Sequence, residues 1–175
     1  MEISAYICSW DKMTEVWKKQ GPDIYLGEFI DEEAGWIKED SFTSNNDSMI
    51  FNTELGELFE KVRPSLPSVT VDGCEELLVA FCPGLESDRF STPQSLGTSS
   101  EVIFSSLDPE LVRKYATLAQ ELDINLVAME IGKQATIDGN DVVSSSEDAA
   151  AFFEMWKNAL NEAAQQNWGM LVHWG

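Results

Sequence analysis

The sequence is poor in histidine and in basic residues, and each shortage removes a class of function. His173 is the only histidine, so a Ser/His/Asp or Cys/His mechanism would have to use this residue, which lies in the apolar stretch LVHW. Eleven basic residues stand against 31 acidic ones, and the net charge of −20 repels nucleic acid and anionic membranes. We therefore expect a structural role for His173, and neither nucleic acid nor a membrane as partner.

Cysteine is also scarce. The three cysteines, Cys8, Cys74 and Cys82, lack metal-type spacing and lie in apolar stretches, where reduced and buried thiols are common. The sequence does not open with a basic segment and a long apolar run, and no run approaches the length of a membrane span. These features predict a cytoplasmic protein. Cys74 or Cys82 stays a minor candidate for a nucleophile, because the segment Asp72 to Glu75 around Cys74 resembles a helix N-terminus.

Short catalytic and cofactor motifs are missing as well. The sequence has no HExxH, no CxxC pair, no P-loop lysine and no GxGxxG before a helix, which disfavours zinc, nucleotide and dinucleotide chemistry. The segment Asp138 to Asp141 is favourable to a tight turn, and it lacks the distal glutamate of a calcium loop. We therefore predict no cofactor, no metal site and no catalytic residue, and we do not expect an enzyme.

Apolar residues, by contrast, are present in core-forming numbers. They make up 43% of the 175 residues and include six tryptophans and nine phenylalanines, enough for one folded domain. Residues that alternate or repeat at strand and helix periods predict the following elements: strands at 2–8, 124–131 and 170–174, helices at 9–21, 52–62, 72–83, 108–122 and 145–164, and a hairpin turn at 138–141.

These elements predict a single α+β domain over residues 1–175, with a mixed or antiparallel sheet packed against several helices. Two stretches break the pattern. Residues 23–48 form an acidic irregular region with short apolar islands, and residues 84–100, rich in Ser, Thr, Gly and Pro, predict a mobile loop.

The negative charge is concentrated around this irregular region. Between Gly21 and Glu60 there are eleven acidic residues and one base, Lys38, so this stretch holds ten of the twenty excess negative charges. The stretch EFIDEEAGWIKED also contains Trp36, a residue type that usually seeks burial. Trp36 either anchors an acidic loop on the core or forms the centre of an interface surrounded by carboxylates.

The interface interpretation assigns a partner-binding role to seven residues. In it, Trp36 holds a basic protein partner while the surrounding acids steer that partner into place. The predicted partner-binding residues are Glu28, Asp31, Glu32, Glu33, Trp36, Glu39 and Asp40. The sequence leaves the identity of the partner and the oligomeric state open.

Two resemblances point in the same direction. The first strand MEISAYICSW, the segment SLDPELVRKYATLAQEL and the closing SSEDAAAFFEMWKNALNEAAQQNWGMLVHWG resemble the YfbM-like bacterial family of unknown function. More loosely, the chain is similar to the small acidic α+β immunity proteins that bacteria keep beside their toxins. These resemblances imply a bacterial, cytoplasmic origin and a binding role.

Three functions are consistent with the sequence. The favoured one is a non-enzymatic immunity protein that neutralises a basic, nuclease-like toxin by occluding its active surface. The second is a DNA mimic whose carboxylates imitate phosphates toward a DNA-binding protein. The third is a carboxylate-dependent enzyme or cation-binding protein, which requires at least two acids that converge in a pocket.

Overall fold

The computed structural model describes residues 3–22, 24–30, 35–41, 48–82, 85–97 and 103–174. Within these residues the chain forms four strands and six α-helices, and the predicted α+β class is confirmed. In chain order the elements are β1 (Ile3–Cys8), α1 (Trp10–Gln20), β2 (Ile37–Ser41), α2 (Ser48–Val62), α3 (Ser68–Phe81), β3 (Ile103–Leu107), α4 (Pro109–Glu121), α5 (Ile124–Asp138), α6 (Ser146–Gln166) and β4 (Gly169–Trp174). Short 3₁₀ turns cover Leu26–Phe29 and Arg63–Ser65.

The four strands form one antiparallel sheet in the order β2, β1, β4, β3. The central pair joins the first and last of these described strands, with Ile3 opposite Trp174 and Cys8 opposite Gly169. All six residues of β1 are buried, so both faces of this strand are covered. The sheet is therefore the middle of three layers.

One face of the sheet carries the main core. Helices α2 to α6 pack here against Ile3, Ala5 and Ile7 of β1, and the ring of Phe81 stacks on Trp156 with centroids 4.0 Å apart. Burial of these large side chains is the main favourable contribution to folding.

The opposite face is covered by a thinner layer built from α1, the residues around Ile24 to Phe29, and Trp36. Met13 and Leu26 are fully buried against Tyr6, Cys8 and other residues of this sheet face. We call this the outer layer. It contains residues 24–30 and Trp36 of the predicted acidic region, and the sheet separates them from the main core; residues 37–41 of that region form the edge strand β2.

The residues that predicted helix starts in the sequence cap those helices with their side chains. The Asp108 carboxylate accepts hydrogen bonds from the backbone N–H groups of Glu110 (3.0 Å) and Leu111 (2.9 Å), and Ser145 accepts one from Asp148 (3.2 Å). Such caps satisfy N–H groups that have no partner inside the helix. The predicted starts of α4 and α6 are confirmed.

The predicted strand at 124–131 is wrong, because the segment lies in helix α5. The buried residues Ile124, Val127, Ala128, Ile131 and Ala135 recur at helical spacing, and the Asp123 side chain caps the helix. Their period was obscured by the many apolar residues of the stretch.

The predicted hairpin turn at 138–141 is also wrong. Asp138 is the last residue of α5, and Gly139 closes the helix in the left-handed conformation with φ of 65°. Glycine adopts this conformation without the steric cost of a side chain.

Helices α2 and α3 both begin about four residues earlier than predicted. Asn52, predicted as a cap, lies within α2, and its side-chain amide donates to the Phe81 carbonyl at 2.9 Å. The predicted capping box at Asp72 to Glu75 lies inside α3, where both carboxylates bind arginines from outside the helix. The two carboxylates that match a capping pattern in the sequence therefore form ion pairs in the structure.

Strand β3 was not predicted. It pairs with β4 and carries an irregular register between Ile103 and Ser105. Of the predicted mobile loop, residues 93–96 run beside it: the Ser95 N–H donates to the Ser106 carbonyl at 3.0 Å, and the Ser106 N–H donates to the Pro93 carbonyl at 3.0 Å. Residues 84 and 98–100 of that loop lie outside the described residues, and its mobility stays a prediction.

No helix in the described part of the chain is both long and apolar enough to cross a membrane.

Candidate functional site

The structure describes only part of the predicted partner-binding set. Asp31, Glu32 and Glu33 lie outside the described residues, and Asp40 is described as a backbone position of β2 without its side chain. Glu28, Trp36 and Glu39 are described in full. The candidate site is therefore built from these three residues and their neighbours.

Trp36 lies immediately before β2 and is half-buried. Its ring packs against Phe29 with centroids 5.8 Å apart, and its carbonyl accepts a hydrogen bond from the Ser9 N–H at 2.7 Å. These contacts join the start of β2 to the 3₁₀ turn and to the start of α1. Trp36 thus anchors the outer layer, and part of its side chain still faces solvent.

Apolar side chains are exposed at both ends of the 3₁₀ turn Leu26–Phe29, whose Phe29 packs on Trp36. Tyr25 is 66% exposed and Ile30 is 38% exposed, although both flank a turn whose Leu26 is fully buried. Glu28 is exposed on the same turn. We call Tyr25, Glu28, Phe29, Ile30 and Trp36 the aromatic-acidic surface.

Glu39 lies on the outer-layer face of the sheet. Strand alternation places it directly opposite Tyr6 of β1, whose hydroxyl donates to the Glu39 Oε1 at 3.1 Å. The Tyr6 ring also meets the edge of the His173 ring, with centroids 5.4 Å apart and planes at 80°. Three adjacent strands thus bring a carboxylate, a phenol and an imidazole together, which we call the Glu39 cluster.

His173 is buried, and this burial lowers its pKa from the ordinary value of 6.5, while the nearby Glu39 acts in the opposite direction. The imidazole is therefore neutral at physiological pH. The expected structural role of His173 agrees with its packing on Tyr6. Its proximity to Glu39 was not predicted, because strand register between residues 39 and 173 cannot be read from local patterns.

The cysteines do not form a nucleophilic site. Cys8, Cys74 and Cys82 are all free and fully buried. Burial raises the pKa of Cys8 to about 12, and it also raises the pKa values of Cys74 and Cys82. The minor prediction of a nucleophilic Cys74 at a helix start is wrong, because α3 begins at Ser68 and Cys74 lies in its interior.

A second polar cluster lies between α3 and its neighbours. Glu75 is 1% exposed and accepts hydrogen bonds from Arg63 Nη2 and from the Ser87 hydroxyl, each at 2.5 Å. The Ser87 hydroxyl oxygen accepts in turn from the backbone N–H groups of Arg89 and Phe90. This arrangement ties the segment after α3 to the helix, and its groups satisfy one another, as a structural network requires.

Acids that converge on a cation would support the third hypothesis. Within the described ranges, no group of three or more His, Cys, Asp or Glu side chains is arranged to hold a metal ion. Two carboxylates that are at least partly shielded from solvent instead bind a hydroxyl group or a base, since Glu39 binds Tyr6 and Glu75 binds Arg63.

Comparison with known proteins does not assign a family to the chain. No protein-family model matches it, and neither a curated protein nor a solved structure does so. The resemblances to the YfbM-like family and to immunity proteins therefore stay predictions.

Proposed function

We propose that the chain is a non-enzymatic binding protein that occludes a basic protein partner, in the manner of a cytoplasmic bacterial immunity protein acting on a nuclease-like toxin. The observation that carries this proposal is the aromatic-acidic surface. There, Phe29 packs on Trp36, and the turn that carries Phe29 also carries the exposed Glu28 and is flanked by the exposed Tyr25 and Ile30. Aromatic anchors with charged neighbours are the usual construction of energetically important interface regions.

The pairing of basic residues with acids of the same chain favours a basic protein as the partner. Among the described residues, eight lysines and arginines form ion pairs within the fold, and the 31 acids of the sequence outnumber its eleven bases. A field of this sign accelerates encounter with a positively charged protein and rejects acidic ones. Affinity would come from the few aromatic anchors, because solvent-exposed charges contribute little once in contact.

The experiment is a binding assay with a matched pair of tryptophan variants. The wild-type chain is immobilised, basic proteins retained at low salt are identified, and the activity of each is measured with and without the chain. Trp36→Ala should weaken retention of a specific partner by about 2 kcal/mol or more, the loss typical of an interface hot spot. Trp168→Ala is the control, because Trp168 is also half-buried but packs against the main core.

The outcomes separate specific binding from general charge attraction. A specific partner stays bound as salt rises, loses its activity on binding, and is released by Trp36→Ala but not by Trp168→Ala. Retention of many basic proteins that wash off together as salt rises would overturn the proposal, since screening removes attraction that depends on charge alone. Equal loss with both variants would also contradict it.

A further inference from the structure

The sheet has two edges, and the described residues cover only one of them. At β3, residues 93–96 pair with the edge, where Ser95 donates to the Ser106 carbonyl and Ser106 donates to the Pro93 carbonyl. At β2, none of the described residues pairs with the edge that faces away from β1. An edge strand without a partner presents unpaired backbone N–H and C=O groups, to which another chain can bind.

The hydrogen bonds between β1 and β2 show which residues of β2 present those groups. Ser9 and Trp36 lie opposite each other when the register of the two strands is continued by one residue, and the Ser9 N–H donates to the Trp36 carbonyl at 2.7 Å. In an antiparallel pair, positions that bond to the neighbouring strand alternate with positions that do not. Lys38 therefore directs its backbone groups toward β1, and Ile37 and Glu39 direct theirs away from it.

The side chains along this edge favour a basic strand as the occupant. Ile37 and Glu39 lie on the outer-layer face of the sheet, where Ile37 is buried and Glu39 is half-buried. A strand laid beside β2 places one side chain opposite Glu39 and another, two positions along, opposite Ile37. A basic residue complements the first neighbour and an apolar residue the second. A second copy of the chain is disfavoured, because each copy carries a net charge of −20.

We propose that the basic partner adds an extended segment to the outer edge of β2, antiparallel to it, with a lysine or arginine opposite Glu39. The backbone groups of Ile37 and Glu39 then pair with the segment, and the sheet gains a strand at this edge. Antiparallel pairing continues the pattern of the sheet, because all three pairs of the described strands are antiparallel. The proposal rests on the proposed binding function and deepens it, since it names the conformation and the charge of the segment that the partner presents.

Amide hydrogen exchange followed by NMR tests whether the edge is open. In the whole chain alone, the Lys38 N–H should exchange at least about tenfold more slowly than those of Ile37 and Glu39, because only the Lys38 N–H donates to β1. Slow exchange at all three positions would overturn the proposal, since it would mean that another part of the chain already covers this edge.

A short peptide tests whether the edge takes a basic strand. The probe is acetyl-Val-Thr-Lys-Thr-Val-amide, whose lysine would lie opposite Glu39 and whose final valine would lie opposite Ile37. Saturable binding of the peptide should slow exchange at both of these residues. A methyl group on the backbone nitrogen of the lysine removes an N–H that faces β2 and should abolish binding. The control peptide carries the methyl group on the first threonine, whose N–H faces away, and should still bind.

A matched pair of variants tests the charge at the edge. Glu39→Gln removes the carboxylate opposite the peptide lysine and should weaken binding about two- to fivefold, as expected for loss of a cross-strand charge pair. Glu57→Gln removes an exposed charge from α2 and should leave the affinity unchanged. The comparison of the two methylated peptides uses the wild-type chain and does not depend on how either variant folds.

Failure of this edge site and failure of the proposed function give different results. No saturable binding of the peptide, equal binding of the two methylated peptides, or unchanged affinity in Glu39→Gln would overturn the edge site. If a basic partner is nevertheless held through Trp36, the proposed function stands without it. If the peptide binds as expected but no basic protein is captured, the edge site stands and the proposed function falls.

Discussion

The buried ion pair between Arg63 and Glu75 predicts a change in the free energy of unfolding whose sign depends on whether both partners are present. Replacing Arg63 by Met keeps most of the apolar stem and leaves the Glu75 carboxylate, which is 1% exposed, without its cation. Removing one partner of a buried pair costs about 3 to 5 kcal/mol. Because Arg63 itself is 31% exposed and the Ser87 hydroxyl still binds Glu75, we expect the lower end, about 3 kcal/mol.

The free energy of unfolding is measured by urea titration with tryptophan fluorescence, and the melting temperature by calorimetry. A loss of about 3 kcal/mol in a chain of this size corresponds to a fall of about 6 to 12 °C. Lys19→Met is the control, because the pair of Lys19 with Glu15 lies on the surface with both side chains more than half exposed. We expect no measurable change from it.

The second half of the prediction uses Glu75→Gln in two backgrounds. In the wild-type chain this change weakens a bound ion pair and should destabilise the fold. In the Arg63→Met background it removes an uncompensated buried charge and should stabilise the fold relative to Arg63→Met alone. The same sign in both backgrounds, or a cost of Arg63→Met no larger than that of Lys19→Met, would refute the reasoning.

The other two predictions concern helical glycines and pH. A Cβ on Gly132 would come within 2.4 Å of the backbone at the start of α6, whereas one on Gly56 meets only ordinary contacts from 3.7 Å. Urea titration should therefore show that Gly132→Ala destabilises the fold by about 1 to 3 kcal/mol and that Gly56→Ala stabilises it by about 0.5 to 1 kcal/mol; changes of the same sign would contradict this packing. For His173, burial lowers the pKa in the folded state below the ordinary 6.5, so the unfolded chain binds the proton more readily and stability falls as pH drops through 6.5. Urea titrations at about pH 7.5 and about pH 5.5 should show a larger loss for the wild-type chain than for His173→Gln, and equal losses would refute it.

The parts of the fold that the sequence predicted are those governed by local chemistry. The Asp108 and Ser145 caps have partners two or three residues away, so they are visible in a short window. The alternation of the first strand is likewise local. Helix α5 was mistaken for a strand because its apolar residues are dense enough to fit either period, and length and capping by Asp123 decide in favour of the helix.

The candidate site likewise has a part that could be predicted from the sequence and a part that could not. Trp36 and the nearby acids stood out because one segment contains them, and the described structure gives Trp36 the packing of an anchor. The Glu39 cluster depends on the sheet order that puts three strands side by side, and this order is set by tertiary pairing. The binding of Arg63 and Arg89 to α3 was not predicted either. Their partners on α3, Glu75 and Asp72, match the pattern of a helix cap in the sequence.

The pairing of the first strand with the last has a consequence for how the chain is made. During synthesis β1 emerges first, but its central neighbour β4 is not available until residues 169–174 have left the ribosome. Until then one edge of β1 has no partner strand, and the helices made in between have no finished sheet to cover. Completion requires contacts between residues at opposite ends of the sequence, which is typical of slower folding. Tyr6 and His173 belong to these two strands, so their ring contact forms only at this late step and can report it.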